Sequence, residues 1–218
     1  MPKCCVVLTT HVESVTGDEE SSVKQCVKIF GKNREIYLVV PEGLNIDWWK
    51  SFGVFKPIFM PKENFASYRD YNHLCCKTEF YENFKDYDYI LMYQTDCWVF
   101  KDRLDEFMSL GYDWYGAAWY TNVVGNGGLS LRKVSTMIDV TKKYPYTGEN
   151  EDVWFCQRHK NDIRACDLKT ACNFSLECPR TEHYKLLNGL PMGVHGKTNH
   201  YLWDEHFYKH IKLIIGGW

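Results

Sequence analysis

Two β-rich apolar runs, CCVVLTT at residues 4–10 and REIYLVVPEG at 34–43, stand on either side of VKQCVKIF, whose apolar spacing has the period of a helix. The pattern predicts a helix started by Ser21 or Ser22 and a second strand closed by Pro41 and Gly43. A strand, a helix and a strand in that order form a βαβ unit. Its crossover is long enough to return the chain parallel to itself, so the opening half should be α/β. Ligands of such sheets sit beyond the carboxyl ends of the strands, which are here Thr9, Thr10 and His11 and the turn of Pro41 and Glu42.

A further run, YILMYQTDCWVF at 89–100, reads as another buried strand of the same sheet, led in by a helix over YNHLCCKTEFYENFKDY. It carries one carboxylate, Asp96, near its end. Such a group costs several kcal/mol to desolvate unless a cation or hydrogen-bond donors compensate it. A divalent ion carrying a diphosphate would do so; a helix cap near Asp102 or a structural ion pair would also suffice. Downstream, RLDEFMSLGYDW predicts a short helix stopped at Gly111, and GNGGLSLRKVSTMIDVTKKY a glycine turn running into a helix. In that turn the glycines around Asn126 allow positive φ angles and close approach to a ligand, with Arg132 and Lys133 beyond them.

Two more stretches hold chemistry-bearing residues. ENEDVWFC, at 149–156, crowds Glu149, Glu151 and Asp152 before an apolar VWF. Carboxylates there suit a helix N-terminus, and one of them could also take a proton from a hydroxyl nucleophile. PMGVHGKTNHYLW, at 191–203, bends the chain around His195, with Lys197 close by. Imidazole is a competent ligand for divalent ions such as manganese.

The 218 residues suffice for one sizeable core, and 45% hydrophobic with 25% charged residues is a globular balance, so a single domain is expected. A net charge of −2 provides no field for holding a polyanion, which argues against nucleic acid as a partner. Aromatic residues, at 16%, exceed what a minimal core needs and suit a cleft where rings stack on sugars. The ten cysteines contain no CxxC pair, which argues against structural zinc; Cys166, Cys172 and Cys178 read as reduced thiols or as sulfurs meeting in one loop region. His11 and Glu13 end the N-terminal apolar run too early for a secretory signal, and no stretch reaches the roughly 20 apolar residues of a membrane span. The expectation is therefore a cytoplasmic protein. The aromatic end YLWDEHFYKHIKLIIGGW leaves peripheral membrane contact open beside packing on the core, and self-association is open too.

QTD at 94–96, GNGGLSLR, EDVWFC and the P-x-G-x-H segment occur in the order found in GT-A fold glycosyltransferases. The chain resembles a family of small bacterial and viral glycosyltransferase-like domains of unassigned function over residues 4 to 210. The resemblance implies a Rossmann-like, mixed, mostly parallel sheet flanked by helices, with a nucleotide-binding half (1–100) and an acceptor and catalytic half (101–218). It implies transfer from a nucleotide-diphosphate sugar, such as a UDP-sugar, to a hydroxyl of a glycan, a lipid-linked or another acceptor. Gln94, Thr95 and Asp96 match the DxD triplet, of which only the last acid is kept, which leaves Gln94 to hydrogen-bond the ribose or sugar rather than bind metal. Asp96 and His195 would then bind a divalent cation, Mn2+ or Mg2+, with Lys197 at the diphosphate and Gly127 and Gly128 beneath the donor sugar. EDV is similar to the motif of inverting β-1,3-galactosyltransferase and Fringe-like enzymes, which makes Asp152, beside Glu151, the base. A non-catalytic carbohydrate-binding module and a sugar-phosphate nucleotidyltransferase are the alternatives.

Overall fold

The computed structural model describes residues 2–196. Along the chain run β1 (Cys4–Thr9), α1 (Gly17–Phe30), β2 (Ile36–Pro41), α2 (Asp47–Lys50), β3 (Phe55–Met60), α3 (Tyr68–Cys75), α4 (Thr78–Glu82) and β4 (Tyr89–Tyr93). They are followed by β5 (Trp98–Val99), α5 (Leu104–Ser109), β6 (Trp114–Tyr115), β7 (Leu129–Lys133), α6 (Val134–Lys143) and α7 (Glu151–Val153), and then by α8 (Leu168–Phe174), β8 (Ser175–Leu176), α9 (Thr181–Tyr184) and β9 (Gly193–Val194). Six strands form the central sheet in the order β3-β2-β1-β4-β7-β6. The first four are parallel, while β7 runs antiparallel to β4 and to β6. A second, three-stranded sheet has the order β5-β9-β8.

The strands at the centre are apolar at nearly every position because the sheet is covered on both faces. Val6 and Leu8 of β1, Leu38 of β2 and Leu91 of β4 pack against Val23, Cys26 and Phe30 of α1 and Phe107 of α5. Their sequence neighbours Val7, Val39 and Ile90 face the other way, onto Leu74, Phe80, Tyr81 and Met137 of α3, α4 and α6. Alternation of side chains along a strand thus sends each apolar run into two separate layers.

Several expectations are corrected. Helix α1 begins at Gly17 behind Thr16, ahead of Ser21 and Ser22, with Asp18, Glu19 and Glu20 in its first turn, where carboxylates suit the helix dipole. Ser22 is buried instead and donates to the Cys97 carbonyl at 2.5 Å. The helix expected over 71–87 is two helices broken at Cys76 and Lys77. Leu74, Cys75 and Cys76 are all buried, and three successive residues sweep about 200° of a helix, more than one face can bury. Strand β3 was hidden by Pro57, which the edge of a sheet tolerates because its missing N–H needs no partner there. The glycine turn leads first into β7 and only then into α6.

The run 89–100 is likewise not one strand. It leaves the central sheet after Tyr93, turns with Cys97 N–H donating to the Gln94 carbonyl at 3.0 Å, and joins the second sheet at Trp98. Asp96 therefore lies in a turn beyond a strand end. No disulfide joins the cysteines, and all but Cys178 are buried. Cys166 and Cys172 pack into different clusters, and burial pushes their thiols up to about 12 and about 11, so neither is a reactive thiolate. Among the described residues no helix is long and apolar enough to cross a membrane.

Candidate active site

In the central sheet the strand order reverses between β1 and β4, and ligands of open α/β sheets bind in the crevice outside that point. Two cavities open there and share Tyr68 and Tyr71. The smaller, about 310 Å3, is lined by Thr9, Thr10 and His11 at the end of β1 and by Phe65, Ala66 and Ser67. The larger, about 330 Å3, contains Gln94, Gly127, Gly128, Glu151, Asp152 and His195. Four separate stretches of sequence thus meet in one place.

The floor of the larger cavity is the glycine turn. Gly125, Gly127 and Gly128 do not adopt the left-handed backbone expected of them. They are glycines because of close approach: a Cβ on Gly128 would collide with the His195 imidazole, and one on Gly127 with the Glu151 carboxylate. Asn126 Oδ1 accepts from Gly128 N–H at 3.1 Å, and the Gly128 carbonyl accepts from Gln94 N–H at 3.0 Å, tying the turn to the end of β4.

On one side of this floor stands His195. Its Nε2 is 3.1 Å from Gln94 Oε1 and 3.2 Å from Asp96 Oδ1, while Glu177 Oε1 lies 3.2 Å from Nδ1, outside hydrogen-bond geometry. Burial opposes charge on the imidazole, but the carboxylates of Asp96 and Glu177 outweigh it and raise the group to about 10. Asp96 is also desolvated, yet the His195 bond holds it below the usual carboxylate range. Among the described residues, Asp96, Cys97 and His195 offer metal-type donor atoms within 4.8 Å of one another. Cys97 is unsuited: burial pushes its thiol far up, and its Sγ is 3.3 Å from the Gly128 carbonyl. Carboxylate oxygen, imidazole nitrogen and the amide oxygen of Gln94 fit a hard or borderline divalent cation, and binding one would displace the proton from His195.

On the other side stands Asp152. Its Oδ1 accepts from Val153 N–H at 2.7 Å and its Oδ2 from Gly127 N–H at 3.3 Å. Burial and, after it, the charge of Glu151 raise this carboxyl to about 7. Glu151 itself is buried and points into the protein, where Arg132 Nη2 donates to its Oε1 at 2.5 Å. Arg132, which follows the glycine turn, is fully buried: it also donates to Tyr81 Oη, Ser130 Oγ and the Gly127 carbonyl and lies over the Trp114 ring. Asn72 Oδ1 accepts Glu151 N–H at 2.7 Å, so α3 fixes the start of α7.

The structure does not bring every expected residue to the cavities. Glu42 lies in the exposed turn after β2, one strand away from the crevice, and Thr95 and Asp96 sit in the turn after β4; none of the three lines these two cavities, and Asp96 is joined to the larger one through His195. Lys197 and the aromatic end lie outside the described residues. Sequence reasoning missed Glu177, a lone acid with no motif around it, and Tyr71, whose hydroxyl accepts from Gln94 Nε2 at 3.2 Å and joins the two cavities.

Residues 55–195 match the family model described as a protein of unknown function (DUF5672). No curated protein matches the chain in sequence. Among solved structures it is similar to the glycosyltransferase GlyE of Streptococcus pneumoniae TIGR4, with a TM-score of 0.57 and 13% identity. That match covers 99% of this chain but only 62% of GlyE. Mouse xyloside xylosyltransferase 1 matches with a TM-score of 0.54 and 10% identity, over 90% of this chain and 98% of that one. An active-site mutant of LgtC gives 0.53 and 13%, over 87% and 86%. The fold is therefore glycosyltransferase-like, of GT-A type.

Proposed function

From a chain that belongs to the DUF5672 family, we propose an enzyme that moves a sugar from a nucleotide-diphosphate sugar, such as a UDP-sugar, to an acceptor hydroxyl, with inversion and with Asp152 as general base. The observation that supports this most directly is the placement of Asp152. It is a carboxylate raised to about 7, held on the glycine floor whose next residue abuts the His195 cluster. A base poised near neutral pH is what removal of a hydroxyl proton needs.

In this reading residues 1–100 supply most of the donor site, with Thr9, Thr10 and His11 against the nucleoside, and residues from 101 onward supply most of the acceptor side. Asp96, His195 and Gln94 would hold a divalent cation, Mn2+ or Mg2+, which when bound would neutralise charge on a leaving diphosphate. The donor sugar lies over the floor of Gly127 and Gly128, between the two sides, where the missing side chains let His195 and Glu151 close in. Asp152 accepts the acceptor proton as the acceptor oxygen bonds to the anomeric carbon. The bond from that carbon to the diphosphate oxygen breaks, and its electron pair leaves with the nucleoside diphosphate. Glu151 does not touch the substrate; locked on Arg132, it positions α7 and keeps Asp152 basic.

Mass spectrometry of nucleoside diphosphate released across a panel of UDP- and GDP-sugars tests activity and donor together. Asp152→Asn should lower turnover by about 10²–10⁴-fold, the usual contribution of a general base. Donor binding by calorimetry should stay within about two-fold. Near-normal turnover in this variant would remove Asp152 from the mechanism and leave the fold untouched.

A further inference from the structure

The larger cavity has an aromatic rim that neither the cation site nor the base requires. Tyr68 is 69% exposed and Tyr120 is 73% exposed, and both line the cavity together with Trp119. Aromatic side chains left in water at the mouth of a polar cleft, rather than scattered singly, mark a surface that meets a ligand.

The segment presenting Trp119 and Tyr120 is a braced turn. Ala118 and Val124 form an antiparallel bridge, Trp119 N–H donates to the Val123 carbonyl at 2.9 Å, and Asn122 closes the turn at a φ of 64°. From α9, the buried His183 holds Asn122 Oδ1 at 2.7 Å, while the nearby Arg180 donates to the Tyr120 carbonyl at 3.0 Å. The Trp119 ring lies against Gly125, where a Cβ would collide with it. Such a platform binds without first being ordered, which lowers the entropic cost of holding a ligand.

The polar groups beside the rings narrow the ligand class. Asp152 lies in the same cavity, and Asn150, exposed at the start of α7, makes no side-chain cap bond there. Carboxylate and amide next to flat rings suit a neutral polyol with one apolar face, and the carboxylates disfavour a phosphate-bearing group. An alkyl chain would leave the amide and carboxylate without partners. We propose that Tyr120, Trp119 and Tyr68 form a saccharide platform on which a pyranose stacks, its hydroxyls turned to Asn150 and Asp152, so that the acceptor is a glycan. That the bound sugar is an acceptor rests on the transferase reading; that it stacks on these rings does not.

The test uses the whole chain and two variants, Tyr120→Ala and Tyr68→Ala, whose exposed rings leave folding intact, as circular dichroism would verify. Saturation-transfer NMR and tryptophan fluorescence against methyl glucopyranoside, galactopyranoside and mannopyranoside, N-acetylglucosamine and their disaccharides should reveal at least one ligand. Its Kd should weaken about ten-fold or more in Tyr120→Ala. Release of nucleoside diphosphate to water, without saccharide, should stay near the parent rate in Tyr120→Ala, whose ring lines the larger cavity and not the one assigned to the nucleoside. If no saccharide binds, or if binding in both variants stays within about two-fold, the platform is overturned even where nucleotide-sugar turnover is normal. If saccharide binding depends on Tyr120 but no donor is turned over, the platform stands and the transferase reading fails.

Discussion

Two ion pairs flank the Gly127–Gly128 floor, and they are built in opposite ways. Arg132 and Glu151 have side chains 0% and 7% exposed, and the guanidinium meets a carboxylate, a hydroxyl, a phenol, a carbonyl and a ring face. His195 and Asp96 are 10% and 25% exposed, and His195 Nδ1 is buried without a bond of proper geometry. A buried polar group whose partners are complete has no capacity left for a ligand, whereas an incomplete one keeps some. In the proposed reading the first pair is scaffold and the second is site.

Truncating the scaffold pair should have the largest effect. Arg132→Ala leaves Glu151 charged and unpaired under α7, which costs about 3–5 kcal/mol and should appear as a fall in the urea midpoint with an unchanged m-value. The matching truncation of the other pair, His195→Ala, leaves an Asp96 that is still 25% exposed and can be reached by water through the opened cavity, so it should cost less, about 1–3 kcal/mol. Equal losses would erase the distinction. A combined Arg132→Met and Glu151→Leu exchange should recover most of the stability, because it removes both charges together.

A smaller effect tests how the scaffold pair acts on the base. Asp152 must be ionised to accept a proton, so kcat/KM for nucleoside diphosphate release should climb with pH through about 7. In stability the sign is reversed: the folded state holds this proton more tightly than the unfolded one. That contribution is present at acid pH and is lost as pH rises from the ordinary Asp range through about 7. Glu151→Gln removes the second cause of the elevation, leaves burial, and exposes Asp152 to an unopposed Arg132. The midpoint should move to lower pH, by on the order of one unit. A pH profile that ignores this substitution would mean that another group is the base.

The same contrast explains what could be read from sequence. Strands β1, β2 and β4 were legible because double coverage makes nearly every position apolar, and Gln94, Asp96, Asp152 and His195 because their motifs occur in a set order. Strand β3 was obscured by a proline that only its edge position excuses. The inward turn of Arg132, and with it the tying of Glu151 to a buried cation, could not be read from the residues themselves, and Asp152 was singled out only by the resemblance of EDV to other families, because the pairing depends on β7, α4 and α7 coming together. Glu177 and the 119–122 turn carry no local signature, since their roles come from contacts with residues far along the chain.

The smallest expected effect concerns Gln94, which stands where the DxD pattern has its first acid. Its amide bonds in two directions, Oε1 to His195 and Nε2 to the Tyr71 hydroxyl, so it completes the site without adding charge. Gln94→Glu puts a carboxylate on a side chain of the same length, within reach of Nε2, and the Tyr71 hydroxyl can turn from acceptor to donor, so the exchange should fold. A third carboxylate would attract a divalent cation more strongly, but it would also tighten the His195 proton that the cation must displace. The net gain should therefore be modest at pH 7, about five-fold in Mn2+ affinity by calorimetry on donor-free protein, and greater at pH 8, where the proton is more easily removed. If affinity is unchanged or weaker at both pH values, the His195 side is as closed as the Arg132 side, and the difference between the two pairs disappears.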